Sequence, residues 1–84
     1  MKRGILHHDR TDHGGEVIKV AATDTVTDRH IACVGDMVSC PRHGINKIVE
    51  GIPGFLIDAR QVTFEGARTE CGSRLIASVD FSVE

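Results

Sequence analysis

Tryptophan and tyrosine are absent from this chain, and phenylalanine occurs only three times in 84 residues. The large rings that usually fill a small core are therefore scarce, in a chain already near the lower size limit for a self-sufficient core. Domains this short are commonly held by a disulfide, a metal or a partner subunit. The cysteines, Cys33, Cys40 and Cys71, are odd in number, so they cannot all pair. In a reducing compartment such thiols serve as metal ligands or as small buried hydrophobes. Cys33, flanked by Ile31, Ala32 and Val34, is expected in the core.

An excess of positive charge is also missing. The net charge of −2 offers no basic field to nucleic acid or an anionic membrane, and there are no Tyr or Trp platforms for bases to stack on. No apolar run approaches the length of a membrane span. In "MKRGILHHDR" only Ile5 and Leu6 follow the basic start, too few for the apolar stretch of a signal peptide. The chain is thus expected to be made in the cytoplasm and to leave the cell, where it does so, without a cleaved leader. H-E-x-x-H, G-x-S-x-G and G-x-x-x-x-G-K-[ST] do not occur. With so little material to wall a pocket, the chain is not expected to be an enzyme.

What is present is a set of short, β-branched-rich runs bounded by Gly, Pro, Asp or Asn: "EVIKV" (16–20), "HIACV" (30–34), "KIVE" (47–50), "FLID" (55–58), "VTF" (62–64) and "RLIASV" (74–79). Short strands joined by turns leave this pattern, and no segment sustains a helical period. The expected fold is all-β, one domain over residues 1–84, with room for at most a helical turn.

An internal repeat organises the turns. "TDHGGEVI" (11–18), "SCPRHGINKIV" (39–49) and "TECGSRLI" (69–76) each carry Thr or Ser, then His-Gly or Cys-Gly, then two aliphatics. Aligned on these pairs, His13, His43 and Cys71 are equivalent, and the middle copy has an insertion before His43. A fainter echo links "ACVGDMVSC" with "VTFEGARTEC", a Gly standing five residues before each Cys. Three such units suggest a pseudo-threefold body. Gly after each ligand candidate lets the backbone reverse while the side chain points inward. Imidazole and thiolate are the donors of structural zinc, and Cys40, in C-x-x-H spacing with His43, can supply a fourth. Glu65 in "FEG" is the other candidate. It is also the general base that a small zinc hydrolase or toxin with an open metal site would use. His7 and His8 are expected as exposed residues, with an auxiliary metal role open to them, and His30 as a strand-edge residue. Iron is the alternative to zinc for such a shell.

"TDHGGEVI", "ACVGDMVSCPRHGINKIVEG" and "TECGSRLIAS" resemble the PAAR-repeat proteins, in order and over nearly the whole chain. The resemblance implies a small pseudo-threefold cone of β-hairpins with zinc near its apex, held in the family by three His and one Cys. It implies a role as a non-enzymatic tip that caps and sharpens the trimeric β-helical spike of a type VI secretion system or a contractile phage tail, one tip per trimer. The spike partner would be the valine-glycine repeat trimer, and attachment of effectors is part of the family's role. The chain is too short for an effector domain of its own. The carried-over metal positions are His13, His43 and Cys71. Where a further His is expected, before "TECG", this sequence has Glu65, and Cys40 is chosen as the fourth ligand.

Overall fold

The computed structural model describes residues 2–83. Within them the chain is all-β, and no segment among the described residues is helical, so the helical turn allowed for above is not found. The strands are β1 (Arg10–Thr11), β2 (Val17–Lys19), β3 (Thr25–Val26), β4 (Arg29–His30), β5 (Met37–Val38), β6 (Asn46–Lys47), β7 (Leu56–Ile57), β8 (Arg60–Gln61) and β9 (Leu75–Ile76). β3–β4 and β7–β8 are two-residue hairpins. Their central residues, Thr27–Asp28 and Asp58–Ala59, all have positive φ, the turn whose twist matches that of paired strands.

The same pairings recur three times along the chain. Within each unit an outgoing residue bridges a returning one: Arg10 to Glu16, Met37 to Lys47 and Arg68 to Arg74. Between units, Val38 pairs with Val17, Thr69 with Ile48 and Thr11 with Leu75. The last pairing returns the ladder to the first unit. A second circuit joins Leu6 to Ile31, Cys33 to Val62 and Phe64 to Gly4. It too comes back to its beginning. Because each strand finds its partner in the next unit, two- and three-residue strands suffice where a free hairpin of that length would not hold.

These pairings set a register different from the one read on the His-Gly and Cys-Gly pairs. Backbone N–H groups of Asp12, Ser39 and Glu70 donate to the carbonyls of Arg74, Glu16 and Lys47 at 2.9, 2.8 and 2.8 Å. Residues 12, 39 and 70 are therefore counterparts, and so are the residues that follow them: His13, Cys40 and Cys71. The middle loop, 39–47, is longer than 12–16 and 70–74, and His43 lies in its extra length. The fainter echo was the structural register, since His8, Gly35 and Gly66 stand at one position and donate to the carbonyls of Val17, Ile48 and Leu75.

Counterparts also build the core. Val17, Ile48 and Leu75, one from each unit, are 0, 1 and 1 % exposed and share one apolar cluster with Ile5, Ala32, Val38 and Ala67. Each such aliphatic contributes roughly 1.5–3 kcal/mol on burial. A second cluster gathers Ala22, Cys33, Ile52, Val62 and Val83. Two buried carboxylates brace the turns of the first two units. Asp9 accepts from the Leu6 N–H and pairs with Arg29. Asp36 accepts from the Cys33 N–H and pairs with Arg60. The third unit has Ala67 at this position.

Candidate metal centre

Three loops converge: 12–16 after β1, 39–47 between β5 and β6, and 70–74 before β9. Each is closed by its own backbone. Gly14 N–H donates to Thr11 O at 3.1 Å, Gly44 N–H to Cys40 O at 2.8 Å and Gly72 N–H to Thr69 O at 3.0 Å. The three glycines have φ of 85, 77 and 87°, in the left-handed region that a side chain disfavours. Each reversal turns the preceding His or Cys toward the other two loops.

His13, Cys40, His43 and Cys71 offer one donor atom each, and these atoms all lie within 4.8 Å of one another. Cys40 Sγ is 3.3 Å from His43 Nδ1 and 3.8 Å from His13 Nδ1, and Cys71 Sγ is 4.0 Å from His13 Nδ1. The edges of a tetrahedral zinc shell with nitrogen and sulfur donors run roughly 3.3–3.8 Å. The donor chemistry and the spacing therefore fit a four-coordinate ion of the zinc type. Cys40 is buried, His13 and Cys71 are half-buried, and His43 is exposed. Zinc would be held by the four side chains, tying the three loops together.

Neighbouring groups orient these donors. Asp12 Oδ1 accepts from the Arg74 N–H at 2.8 Å and stands 4.0 Å from His13 Nε2, on the opposite side of the ring from the sulfurs. Asn46 binds two loops at once: its amide donates to Gly44 O at 3.2 Å and its carbonyl accepts from the Cys71 N–H at 3.3 Å. Thr69 Oγ1 lies 3.3 Å and Ser73 Oγ 3.5 Å from Cys71 Sγ, and the two hydroxyls are 2.6 Å apart. Burial pushes the Cys71 thiol up. Hydrogen bonding with Ser73, Thr69 and Cys40 together outweighs it and brings the thiol down to about 5. Sequence reasoning missed Asn46, Thr69 and Ser73. The one signal for them was Thr at counterpart positions 11 and 69.

Glu65 does not join the cluster. Its Oε1 takes a 2.7 Å ion pair from Arg3, and its Oε2 accepts from the Ala77 N–H at 3.1 Å. It occupies the Phe64–Ala67 turn, where it is the counterpart of His7 and Val34. Of the two candidates for the fourth donor, Cys40 joins the cluster and Glu65 is engaged elsewhere. His7 and His8 stack on each other at 3.9 Å, His7 against Ile18 O and His8 against Glu16. Neither reaches the cluster. His30 is exposed and pairs with Thr25 across β3–β4. Cys33 is 0 % exposed, and burial together with the nearby Asp36 carboxylate pushes its thiol up to about 11, which suits a core residue and not a ligand.

The family model described as the PAAR motif matches residues 7–77. No curated protein matches the chain.

Proposed function

The chain belongs to the PAAR-motif family, and on that premise we propose that it is a non-enzymatic, zinc-stabilised tip that caps and sharpens a trimeric β-helical spike. The spike would be the valine-glycine repeat trimer of a type VI secretion system or its equivalent in a contractile phage tail. In this reading the three units stand about a pseudo-threefold axis as a cone. The metal loops form the apex, and the hairpins that alternate with them in sequence form the broad end. The tip would be made in the cytoplasm, seated on the spike and ejected with it through a target membrane, and would help attach effectors.

The observation that carries this reading is the pair of closed pairing circuits, Val38–Val17, Thr69–Ile48, Thr11–Leu75 and Leu6–Ile31, Cys33–Val62, Phe64–Gly4. They leave few free strand edges to snag or to recruit other chains. One chain carrying three counterpart units can meet three identical spike chains at once. The extents, 30 × 23 × 22 Å, agree with an axial body having two nearly equal transverse dimensions. Where few atoms meet at an apex, packing cannot stiffen it, and a shared ion can. In this reading the β7–β8 hairpin lies at the broad end, where exposed Phe55 and Leu56, 40 and 56 % accessible, would offer apolar surface to the spike.

Mixing the chain with the purified spike trimer and weighing the complex by native mass spectrometry tests the reading. One tip per three spike chains is expected. Three tips per trimer, or no complex, would overturn it.

A further inference from the structure

The cluster holds two thiols on two different loops. Cys40 Sγ and Cys71 Sγ belong to a set of donors all within 4.8 Å of one another, and both border His13 Nδ1, at 3.8 and 4.0 Å. The two cysteines are counterparts in consecutive units. Each sits at the start of a loop reversal and outside any strand, and their sulfurs lie no more than 4.8 Å apart, so side-chain rotation and small loop adjustment can bring them to the disulfide bond length of about 2 Å. The third thiol cannot compete, because Cys33 is fully buried in the second apolar cluster.

We propose that Cys40 and Cys71 form an intramolecular disulfide when the metal is withdrawn and a low-molecular-weight disulfide is present, so that the bond takes over the cross-link between loops 39–47 and 70–74. Cys71 is the more exposed of the two and reacts first. Its thiolate attacks one sulfur of R–S–S–R, an S–S bond breaks, and RS⁻ leaves. The Cys40 thiolate then attacks Cys71 Sγ in the mixed disulfide, and the second RS⁻ leaves. The two cysteines lose two electrons, the two oxidant sulfurs gain them, and the thiol protons pass to solvent or to the departing thiolates. Metal and oxidant thus exclude one another at the cluster, since a sulfur in a disulfide is no longer a thiolate ligand. The use of such a device rests on the spike-tip reading: a tip passing from a reducing to an oxidising compartment would keep two loops joined in both. The chemistry itself does not depend on that reading.

The full-length chain, zinc-loaded or stripped with a chelator, is exposed to oxidised glutathione at pH 8, quenched with iodoacetamide and mapped by peptide mass spectrometry. The expected result is a Cys40–Cys71 linked peptide in the stripped chain, formed at least tenfold faster than in the zinc-loaded chain, with Cys33 recovered as a thiol. Three free thiols, stable glutathione adducts, a bond to Cys33 or disulfide-linked dimers would overturn the proposal. In case stripping unfolds the chain, the zinc-loaded protein is treated with excess oxidised glutathione while released zinc is followed colorimetrically. Zinc release in step with the Cys40–Cys71 bond supports the proposal, as does zinc retained with all three thiols free, since bound metal excludes the oxidant; zinc release without that bond, or the bond formed with zinc retained, defeats it. Failure of the spike-tip reading would appear in the native mass of the trimer complex and leave the thiol map unchanged.

Discussion

Cys40 stands in the second unit where His13 stands in the first, and the Cys40 sulfur lies 3.8 Å from the His13 Nδ1. The counterpart in the third unit is Cys71. Three equivalent loops supply three donors, and a tetrahedral ion needs four. The longer middle loop supplies the fourth as His43, 3.3 Å from the same sulfur. The departure from strict repetition is thus located where the coordination number requires it.

Replacing any of these four donors should release the metal. Cys71→Ser and His13→Ala are expected to lower metal content from about one ion per chain to near zero and to lower the melting temperature steeply, since zinc contributes roughly 10–16 kcal/mol in comparable peptide sites. Glu65→Gln should keep full metal content and cost at most about 1 kcal/mol, because it removes the ion pair with Arg3 while the amide oxygen can still accept from the Ala77 N–H. Metal analysis and thermal melts of the three variants check this. Loss of metal in the Glu65 variant would contradict the geometry.

The metal-free chain should lose stability as the pH falls from about 9 to 5. Cys71 has an ordinary value of 9.0 and about 5 in the fold. The folded state therefore holds fewer protons than the unfolded state between those limits, and its contribution is full above 9, shrinks on acidification and is gone below 5. Urea midpoints measured across this range should slope upward with pH, and Cys71→Ser should flatten the slope. Bound metal should steepen the acid loss, because protons compete for the same donors.

His8→Gly should stabilise the chain by about 1 kcal/mol. His8 has φ 75°, while its counterparts Gly35 and Gly66 have 94 and 91°, so a side chain there carries a strain that glycine avoids. Gly66→Ala should destabilise by a similar amount even though nothing lies near the added methyl. Denaturant midpoints of the two variants, shifting in opposite directions, are the test.

Asp36→Ala should cost about 2–3 kcal/mol. The carboxylate accepts from the Cys33 and Ala21 N–H groups at 2.8 and 3.3 Å and pairs with Arg60 at 3.1 Å, and its removal leaves the buried Cys33 N–H without an acceptor and Arg60 without its partner. A double variant with Arg60→Ala should cost less than the sum of the two single changes, since each alone strands the other's partner.

Much of this was legible in the residues. The runs at 16–20, 47–50, 55–58 and 74–79 contain β2, β6, β7 and β9 at least in part, because β-branched alternation between turn residues is a local property. β1, β3, β5 and β8, at Arg10–Thr11, Thr25–Val26, Met37–Val38 and Arg60–Gln61, fall outside those runs, because their place is set by the segments they pair with and not by an aliphatic run of their own. "HIACV" does not continue as a strand past β4. Ile31 and Cys33 make single bridges to different partners, Leu6 and Val62.

The sequence by itself determined the all-β class of the fold and the stock of imidazole and thiol groups near recurring glycine turns, because composition and turn chemistry are carried by neighbouring residues. Only the tertiary structure decided which residues are counterparts, that Cys40 joins His13, His43 and Cys71, and that Glu65 is taken by Arg3 and Ala77. Those outcomes rest on hydrogen bonds between segments far apart in the chain, and their register follows from closing the ladder on itself, a condition that no local stretch contains.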